Sequence, residues 1–406
     1  MSDGKKTPRR FENPFRPGAG HKPPFLAGRD EEKAAFRKLL KQTTITDNLV
    51  LTGLRGVGKT VLLDDFREIA ISQKWLWVGT DLSESASLTE QTILTRLLAD
   101  LSAVTSAVEI QPPKTQPGLG FGKIIERKSN LGFHALLDIF NTTPGLMSDK
   151  LKSVLEVAWS GIQQTHAAGL IFAYDEAQNL GDHVADKQYP LSLILDVFQS
   201  IQRKGIPFML VMSGLPTLFP KLVEARTFAE RMFHVEFLNR LNEKDSRDAI
   251  QKPISKAGCP HPLSDDLVNQ ITTQSGGYPY FIQFICREVY DVAVQKADAG
   301  LPLQVSIEDI TRKLDADFFA GRWARATDRQ RDLLRIIASL PNRDEEFTVQ
   351  EVVNASKGAS APFSSSHVNQ MLSKLSSMGL VYKNRHGKYA FAVPLLGQFI
   401  SRQLQM

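Results

Sequence analysis

Apolar residues fall along this chain in two rhythms, and the exchange between them predicts its architecture. Short continuous apolar runs at Asn48 to Thr52, Trp75 to Thr80, Gly169 to Tyr174 and Phe208 to Ser213 read as strands buried on both faces, with His234 to Leu238 as a last strand. Between them apolar positions recur at helical spacing: Ala34, Phe36, Leu39 and Leu40 within Asp30 to Gln42, and Ile93, Leu94, Leu97, Leu98 and Leu101 within Leu88 to Val104. Further helices are expected through about Ser72, over Lys150 to Gln164 and over Leu191 to Arg203. Strands alternating with helices of this length predict an α/β fold with a parallel sheet covered on both faces. From Glu243 to about Leu314 the pattern is helical only.

Two stretches lack periodicity. Residues 1–26, rich in Pro, Gly, Lys and Arg, read as an extended arm. Residues 107–131, with Pro112, Pro113, Pro117, Gly118, Gly120 and Gly122, read as a loop or hairpin insertion. The C-terminal part regains order. Helices are expected at Arg329 to Leu340, at Val349 to Ser356 behind the cap Thr348, and at Ser365 to Met378, where Val368, Met371, Leu372, Leu375 and Met378 share a face and Gly379 ends the helix. A hairpin follows, Leu380 to Lys383 and Lys388 to Val393 around a turn at Asn384 to Gly387. Three helices and a hairpin form the winged helix-turn-helix pattern.

Composition adds bounds. The 406 residues, 42% hydrophobic and 23% charged, suit a soluble globular protein with room for more than one core. No apolar run reaches the roughly 18 residues of a membrane span, and the polar, basic start is not a secretory leader. Cys259 and Cys286 form neither a disulfide framework nor a metal spacing, which suits the cytoplasm. The histidines make no zinc-binding arrangement, and no nuclease motif or nucleophile–base set presents itself. The net charge of +5 is uneven: residues 1–30 carry +4 and residues 347–406 carry +5, around a mildly acidic centre. Such a distribution fits either a polyanion partner or plain solvated surfaces.

The first chemical motif is Gly53-Leu54-Arg55-Gly56-Val57-Gly58-Lys59-Thr60, which fits G-x-x-x-x-G-K-[ST] at every defined position. A strand precedes it and a helix from Val61 follows. Glycines let successive N–H groups converge on phosphate oxygens, and the helix N-terminus adds the positive end of its dipole. Lys59 reaches the outer phosphates and Thr60 offers a hydroxyl to Mg²⁺. The second motif, Ile171 to Glu176, is a buried strand delivering two acids and resembles the Walker B element. Asp175 is expected to share Mg²⁺ with Thr60, and Glu176 to polarise the attacking water. Third, the strand ending at Ser213 resembles a sensor-1 position, although a turn cap explains that serine as well.

This order of P-loop, acid pair, Ser-ended strand and helical lid resembles the AAA+ and STAND ATPases, in particular their initiator-like and archaeal-ATPase-like members. The resemblance covers about residues 25–320. It implies residues 27–241 as the ATPase core and 242–320 as an all-α lid, while the helix-and-hairpin pattern assigns 321–406 to the winged helix. It implies that Gly28-Arg29-Asp30-Glu31 lies near the adenine, and that Arg231, with Arg226 as second choice, is an arginine finger reaching across a subunit interface. Gly276-Gly277-Tyr278-Pro279 resembles the G-x-P turn of STAND proteins. The turn carries no sensor-2 arginine, the nearest downstream being Arg287. The expected nucleotide ligands are thus Gly53, Arg55, Gly56, Val57, Gly58, Lys59, Thr60, Val61, Arg29 and Pro279.

Winged helices place their last helix in the DNA major groove and their wing on phosphate, or they dock proteins. The face carrying Ser366, Asn369, Gln370, Ser373 and Lys374, with Lys383, Arg385, His386 and Lys388 on the wing, suits duplex DNA. The insertion's Lys114, Lys123, Arg127 and Lys128 suit DNA, a neighbouring subunit or solvent. The expectation is an ATP- and Mg²⁺-dependent switch that self-associates and holds DNA. Its alternative is a signalling ATPase whose winged helix docks a protein partner carrying the effector activity.

Overall fold

The computed structural model describes residues 13–18, 20–107, 109–110, 129–258, 262–301, 305–343, 345–359, 361–385 and 387–403. By internal contacts it forms two compact units. One gathers residues 30–53 and 62–237, and the other gathers residues up to 29, residues 54–61 and residues 238–406.

The first unit is built on a five-stranded sheet. Strands β1 (Asn48–Gly53) and β2 (Trp75–Val78) come first. A short antiparallel pair, β3 (Glu109–Ile110) with β4 (Ser129–Asn130), closes the base of the expected insertion, whose residues 111–128 lie outside the described residues. Strands β5 (Gly169–Tyr174), β6 (Phe208–Gly214) and β7 (Phe233–Leu238) complete the set, in spatial order β2-β5-β6-β1-β7. The pairs β2–β5, β5–β6 and β1–β6 are parallel. Every residue of β1, β5 and β6 is buried, so both sheet faces are covered, as their unbroken apolar runs require.

Helices Glu90–Thr105, Met147–Ile162 and Pro190–Arg203 supply that cover through Leu97, Leu101, Leu155, Ala158, Ile194 and Phe198. Helix Phe133–Thr142 was not read from the sequence, though Phe133, Leu136, Leu137 and Phe140 sit at helical spacing. A buried polar tie fixes the start of β1 between its neighbours. Asn48 exchanges amide hydrogen bonds with Gln202, accepts from the Leu210 N–H at 2.7 Å and donates to the Met232 carbonyl at 3.1 Å.

In the second unit, helices Glu243–Lys256, Asp265–Ser275, Pro279–Asp298 and Ile307–Leu314 follow one another, matching the helical-only pattern. Asn242, Ser264 and Ser306 cap three of them. A π-helical turn, Asp315–Ala320, and a short helix, Gly321–Ala324, lead on to helices Asp328–Ala338, Val349–Ala355 and Ser365–Ser377. Strands β9 (Val381–Arg385) and β10 (Lys388–Phe391) form the hairpin, and β8 (Phe347–Thr348) adds a third antiparallel strand beside β10. A final helix, Leu396–Gln403, was not foreseen. It buries Leu396, Phe399 and Ile400, and Arg402 pairs with Asp315.

The arm docks where it is described. Asn13 donates to the Arg287 carbonyl and to the Asp291 carboxylate, and Phe15, 2% exposed, packs against Tyr290. Burying one phenylalanine is worth roughly 1.5–3 kcal/mol, which offsets part of the entropy cost of ordering the segment. Residues 1–12 lie outside the described residues.

Candidate nucleotide-binding site

Strand β1 delivers the chain into the Gly-rich loop, and helix Lys59–Ser72 carries it away. Gly56 and Gly58 sit at φ +80° and +92°, a region closed to most side chains, which is what turns the loop's N–H groups inward. A Cβ added at Gly58 would meet nothing within 4 Å, so the backbone angle alone asks for glycine there. Lys59, 9% exposed, curls across the loop and donates to the Leu54 carbonyl at 3.0 Å. Thr60 and Arg55 are exposed, Val57 is buried and Val61 is half-buried.

The loop is braced from two sides. Arg29, 5% exposed, donates to the carbonyls of Val57 and Asn239 at 3.0 and 2.8 Å. The resemblance put Arg29 near the adenine, but its guanidinium grips the loop's backbone. On the other side, the Tyr280 N–H donates to the Gly56 carbonyl at 3.1 Å. Tyr280 follows Pro279 at the start of helix Pro279–Asp298, so the lid turn and the loop meet here. Gly277 makes the turn possible. It sits at φ +76°, its carbonyl accepts from the Leu241 N–H at 2.8 Å, and a Cβ there would lie 2.4 Å from the Leu241 oxygen. The arm also reaches the loop: a Cβ on Gly20 would lie 3.5 Å from the Thr60 methyl.

The acid pair belongs to the sheet unit. Asp175 follows β5, is 4% exposed, and is tied to the end of β2 by its N–H to Thr80 and by the Leu82 N–H to its carbonyl. Glu176 takes a left-handed backbone, φ 51° and ψ 31°, uncommon outside glycine. Its N–H donates to the Asp175 carboxylate at 2.8 Å. Strained residues of this kind gather at functional sites. Asp81 stands beside the pair. Burial first, then the charges of Asp175, Glu176 and Asp64, lifts its carboxyl above the ordinary range.

Gln178, which sequence reading passed over, joins these acids to β6. Its amide nitrogen donates to the Glu176 carboxylate, and its amide oxygen accepts the Leu215 N–H at 3.0 Å. Gly214 leaves the room for it, since a Cβ there would come within 2.6 Å of that oxygen. Lys221 holds the Gln178 carbonyl at 2.8 Å, and burial depresses its ammonium. Ser213, fully buried on β6, has a hydroxyl with no hydrogen-bond partner among the described residues. An orphaned buried hydroxyl at the end of a central strand suits a ligand contact better than a turn cap.

In the C-terminal elements, Ser366, Asn369, Gln370, Ser373 and Lys374 are all exposed along helix Ser365–Ser377. Lys383 is exposed and Lys388 half-buried on the hairpin, while the Arg385 side chain and His386 lie outside the described residues. Arg231 is exposed in the short helix Ala229–Met232. Arg226 is held by Asp196.

Residues 26–223 match the family model described as the AAA ATPase domain, and residues 316–400 match a domain of unknown function (DUF8462). No curated protein matches the sequence. Among solved structures, the chain is similar to the Walker-type ATPase of Pyrococcus abyssi, at 14% identity and TM-score 0.57, over 93% of this chain and 96% of that one. It is also similar to the ORC2 protein of Aeropyrum pernix in its ADP form, at 15% identity and TM-score 0.54, over 96% and 98% of the two chains. The same protein in ADPNP–ADP complexes aligns with TM-score 0.50, at 15% identity and the same coverage. At these identities the likeness is one of fold.

Proposed function

The chain carries an AAA ATPase domain at residues 26–223, and we propose that it is an ATP-hydrolysing switch whose C-terminal module holds duplex DNA. The observation that carries the first half is the Gly-rich loop itself. Its left-handed glycines and the helix N-terminus with Lys59 together suit an anion cradle. Complexes of the similar Aeropyrum pernix protein with ADP and ADPNP support ATP as the ligand.

Lys59 neutralises the outer phosphates, and Glu176 takes the proton of the attacking water as its oxygen bonds to the terminal phosphorus and ADP leaves. Ser213 holds a terminal phosphate oxygen, for which its orphaned hydroxyl is suited. The hydroxyl of Thr60 and the carboxylate of Asp175 are hard oxygen donors of the type that binds Mg²⁺, and that ion would supply charge neutralisation at the phosphates. Val61 lies where the sugar and base leave the loop, and Pro279 closes over the loop from the lid. Arg231 serves as the finger toward a neighbouring copy, so turnover depends on assembly.

The C-terminal helices with a three-stranded antiparallel sheet support a winged helix, with Asn369, Gln370 and Lys374 on base edges or phosphate and Lys383, Arg385 and Lys388 on phosphate. The second reading, a signalling ATPase that docks a protein through the same module, rests on the STAND-like lid turn. Among the described residues no helix is long and apolar enough to cross a membrane.

The decisive comparison is ATP turnover of the native protein, Glu176→Gln and Lys59→Ala, with nucleotide binding measured alongside. Loss of turnover with retained ATP binding is expected for Glu176→Gln, and loss of both for Lys59→Ala. Equal rates in all three would remove the enzyme.

A further inference from the structure

Two guanidinium groups beside the Gly-rich loop make no ion pair with a carboxylate among the described residues. Arg55 belongs to the loop, and Arg322 lies just past the π-helical turn Asp315–Ala320. Arg322 is positioned in steps. Its guanidinium stacks on the Phe318 ring, 4.1 Å from the ring centre, and also donates to the Phe318 carbonyl. The Phe318 ring packs on Tyr280 at 5.1 Å between centroids, and the Tyr280 N–H holds the Gly56 carbonyl.

Arg55 is fixed from a different side. Its guanidinium would lie 3.0 Å from a Cβ on Gly379, the residue at φ +68° that ends the segment of helix Ser365–Ser377. Two residues of the Gly-rich loop, Gly56 and Arg55, thus meet helix Pro279–Asp298 and the 316–400 domain respectively.

The electrostatics favour an anion at this place. Burial, and then the charge of Arg55, weakens the hold of Arg322 on its proton, with Arg325 adding in the same sense and Tyr280 opposing. Asp317 acts on Tyr280, yet among the described residues neither Arg55 nor Arg322 makes an ion pair with a carboxylate. Arg322 is half-buried and Arg55 exposed; like charges brought together repel unless an anion sits among them, and guanidinium forks match phosphate oxygens. π-Helical turns, for their part, are enriched at functional sites.

We propose that Arg322, with Arg55, grips the terminal phosphate of the bound nucleotide, so that the 316–400 domain reads whether ATP or ADP is present. This rests on the ATPase reading above and extends it. The loop and the acid pair are the common equipment of nucleotide hydrolysis; a cation supplied by the domain of unknown function is a separate contact. It gives the C-terminal module a direct stake in the third phosphate.

The test uses the full chain and the variants Arg322→Ala, Arg322→Lys, Arg55→Ala and Lys59→Ala. Each is titrated with a fluorescent non-hydrolysable ATP analogue and with fluorescent ADP in Mg²⁺, and its melting is recorded. Arg322→Ala is expected to bind the ATP analogue about 10- to 100-fold more weakly while ADP affinity moves less than about threefold, one to two charge-assisted contacts being lost. Arg322→Lys should recover part of the difference, because it restores the charge without the fork. If melting shows that Arg322→Ala is unfolded, Arg322→Lys decides alone, and an unchanged preference between the two nucleotides overturns the role.

Equal weakening for both nucleotides overturns it too. So does an unchanged nucleotide preference with weakened duplex binding, which would assign the guanidiniums to nucleic-acid phosphate. Should the native protein bind neither nucleotide, the ATPase reading itself falls. Native binding with an indifferent Arg322→Ala removes only the inference made here.

Discussion

Asp196 holds Arg226 by two parallel hydrogen bonds, from Nε at 2.8 Å and from Nη2 at 2.7 Å. A fork bound in this way is committed within its own chain. Arg231, a few residues on and exposed, is the better candidate for reaching another copy. Arg231→Ala is expected to lower the turnover of the assembled protein by about 10³-fold while leaving ATP affinity nearly unchanged. Arg226→Ala should instead lower the melting temperature. Steady-state rates above and below the assembly concentration check this, and an unaffected rate for Arg231→Ala would discard the finger.

Gly277 and Gly58 separate a packing demand from a ligand demand. At Gly277 both the backbone angle and the Leu241 oxygen exclude a methyl group. Gly277→Ala should therefore cost about 2–4 kcal/mol, measurable by urea unfolding. At Gly58 only the angle opposes, so Gly58→Ala should cost about 1 kcal/mol yet weaken nucleotide binding sharply, because the loop's N–H groups lose the left-handed turn that aims them. Intact binding by Gly58→Ala would place the phosphates elsewhere.

Glu288 gives the helical lid a pH dependence. Burial works to raise its carboxyl, but the hydrogen bonds and charges of Lys313 and Arg287 outweigh it and hold the group below the usual carboxylate range. The folded carboxyl thus releases its proton at lower pH than the unfolded one. Its contribution is complete above the unfolded value and is lost as pH falls through the folded one. Glu288→Gln should destabilise by about 1 kcal/mol at neutral pH, the cations being partly solvated, and match the native protein once the pH has fallen below the range in which the folded carboxyl titrates. Urea midpoints across that range measure it, and a difference that does not shrink with pH contradicts the assignment.

For the C-terminal module the discriminating quantity is salt dependence. Phosphate contacts by Lys374 and Lys388 imply that the double alanine variant reduces the log–log slope of duplex affinity against salt by about 2. Duplex binding with no salt dependence in the native protein would favour a protein partner.

Much of the sheet was legible because its signal is local. The apolar runs of β1, β5 and β6 can be satisfied only by burial on both faces, and G-x-x-x-x-G-K-T carries its own geometry. The short helix Leu396–Gln403 and strand β8 span too few residues to show a period. Helix Phe133–Thr142 did show one and could have been found. What the linear pattern could not carry were pairings between distant residues. Arg29 bracing Val57, Gln178 joining Glu176 to Leu215, and Tyr280 reaching Gly56 each depend on one or two hydrogen bonds made after the chain has closed on itself. The left-handed backbone of Glu176 was hidden for the same reason, since it is imposed by surroundings and not by residue type.

The bond from Tyr280 to Gly56 has a bearing on how the protein is made. As the chain leaves the ribosome, Gly53 to Thr60 emerges early, whereas the helix that holds it follows only after the whole sheet has been synthesised. Contacts so far apart in sequence form late, because the intervening loop must first be closed. The nascent loop therefore has Arg29 at hand but waits for its second brace until the second half of the chain arrives.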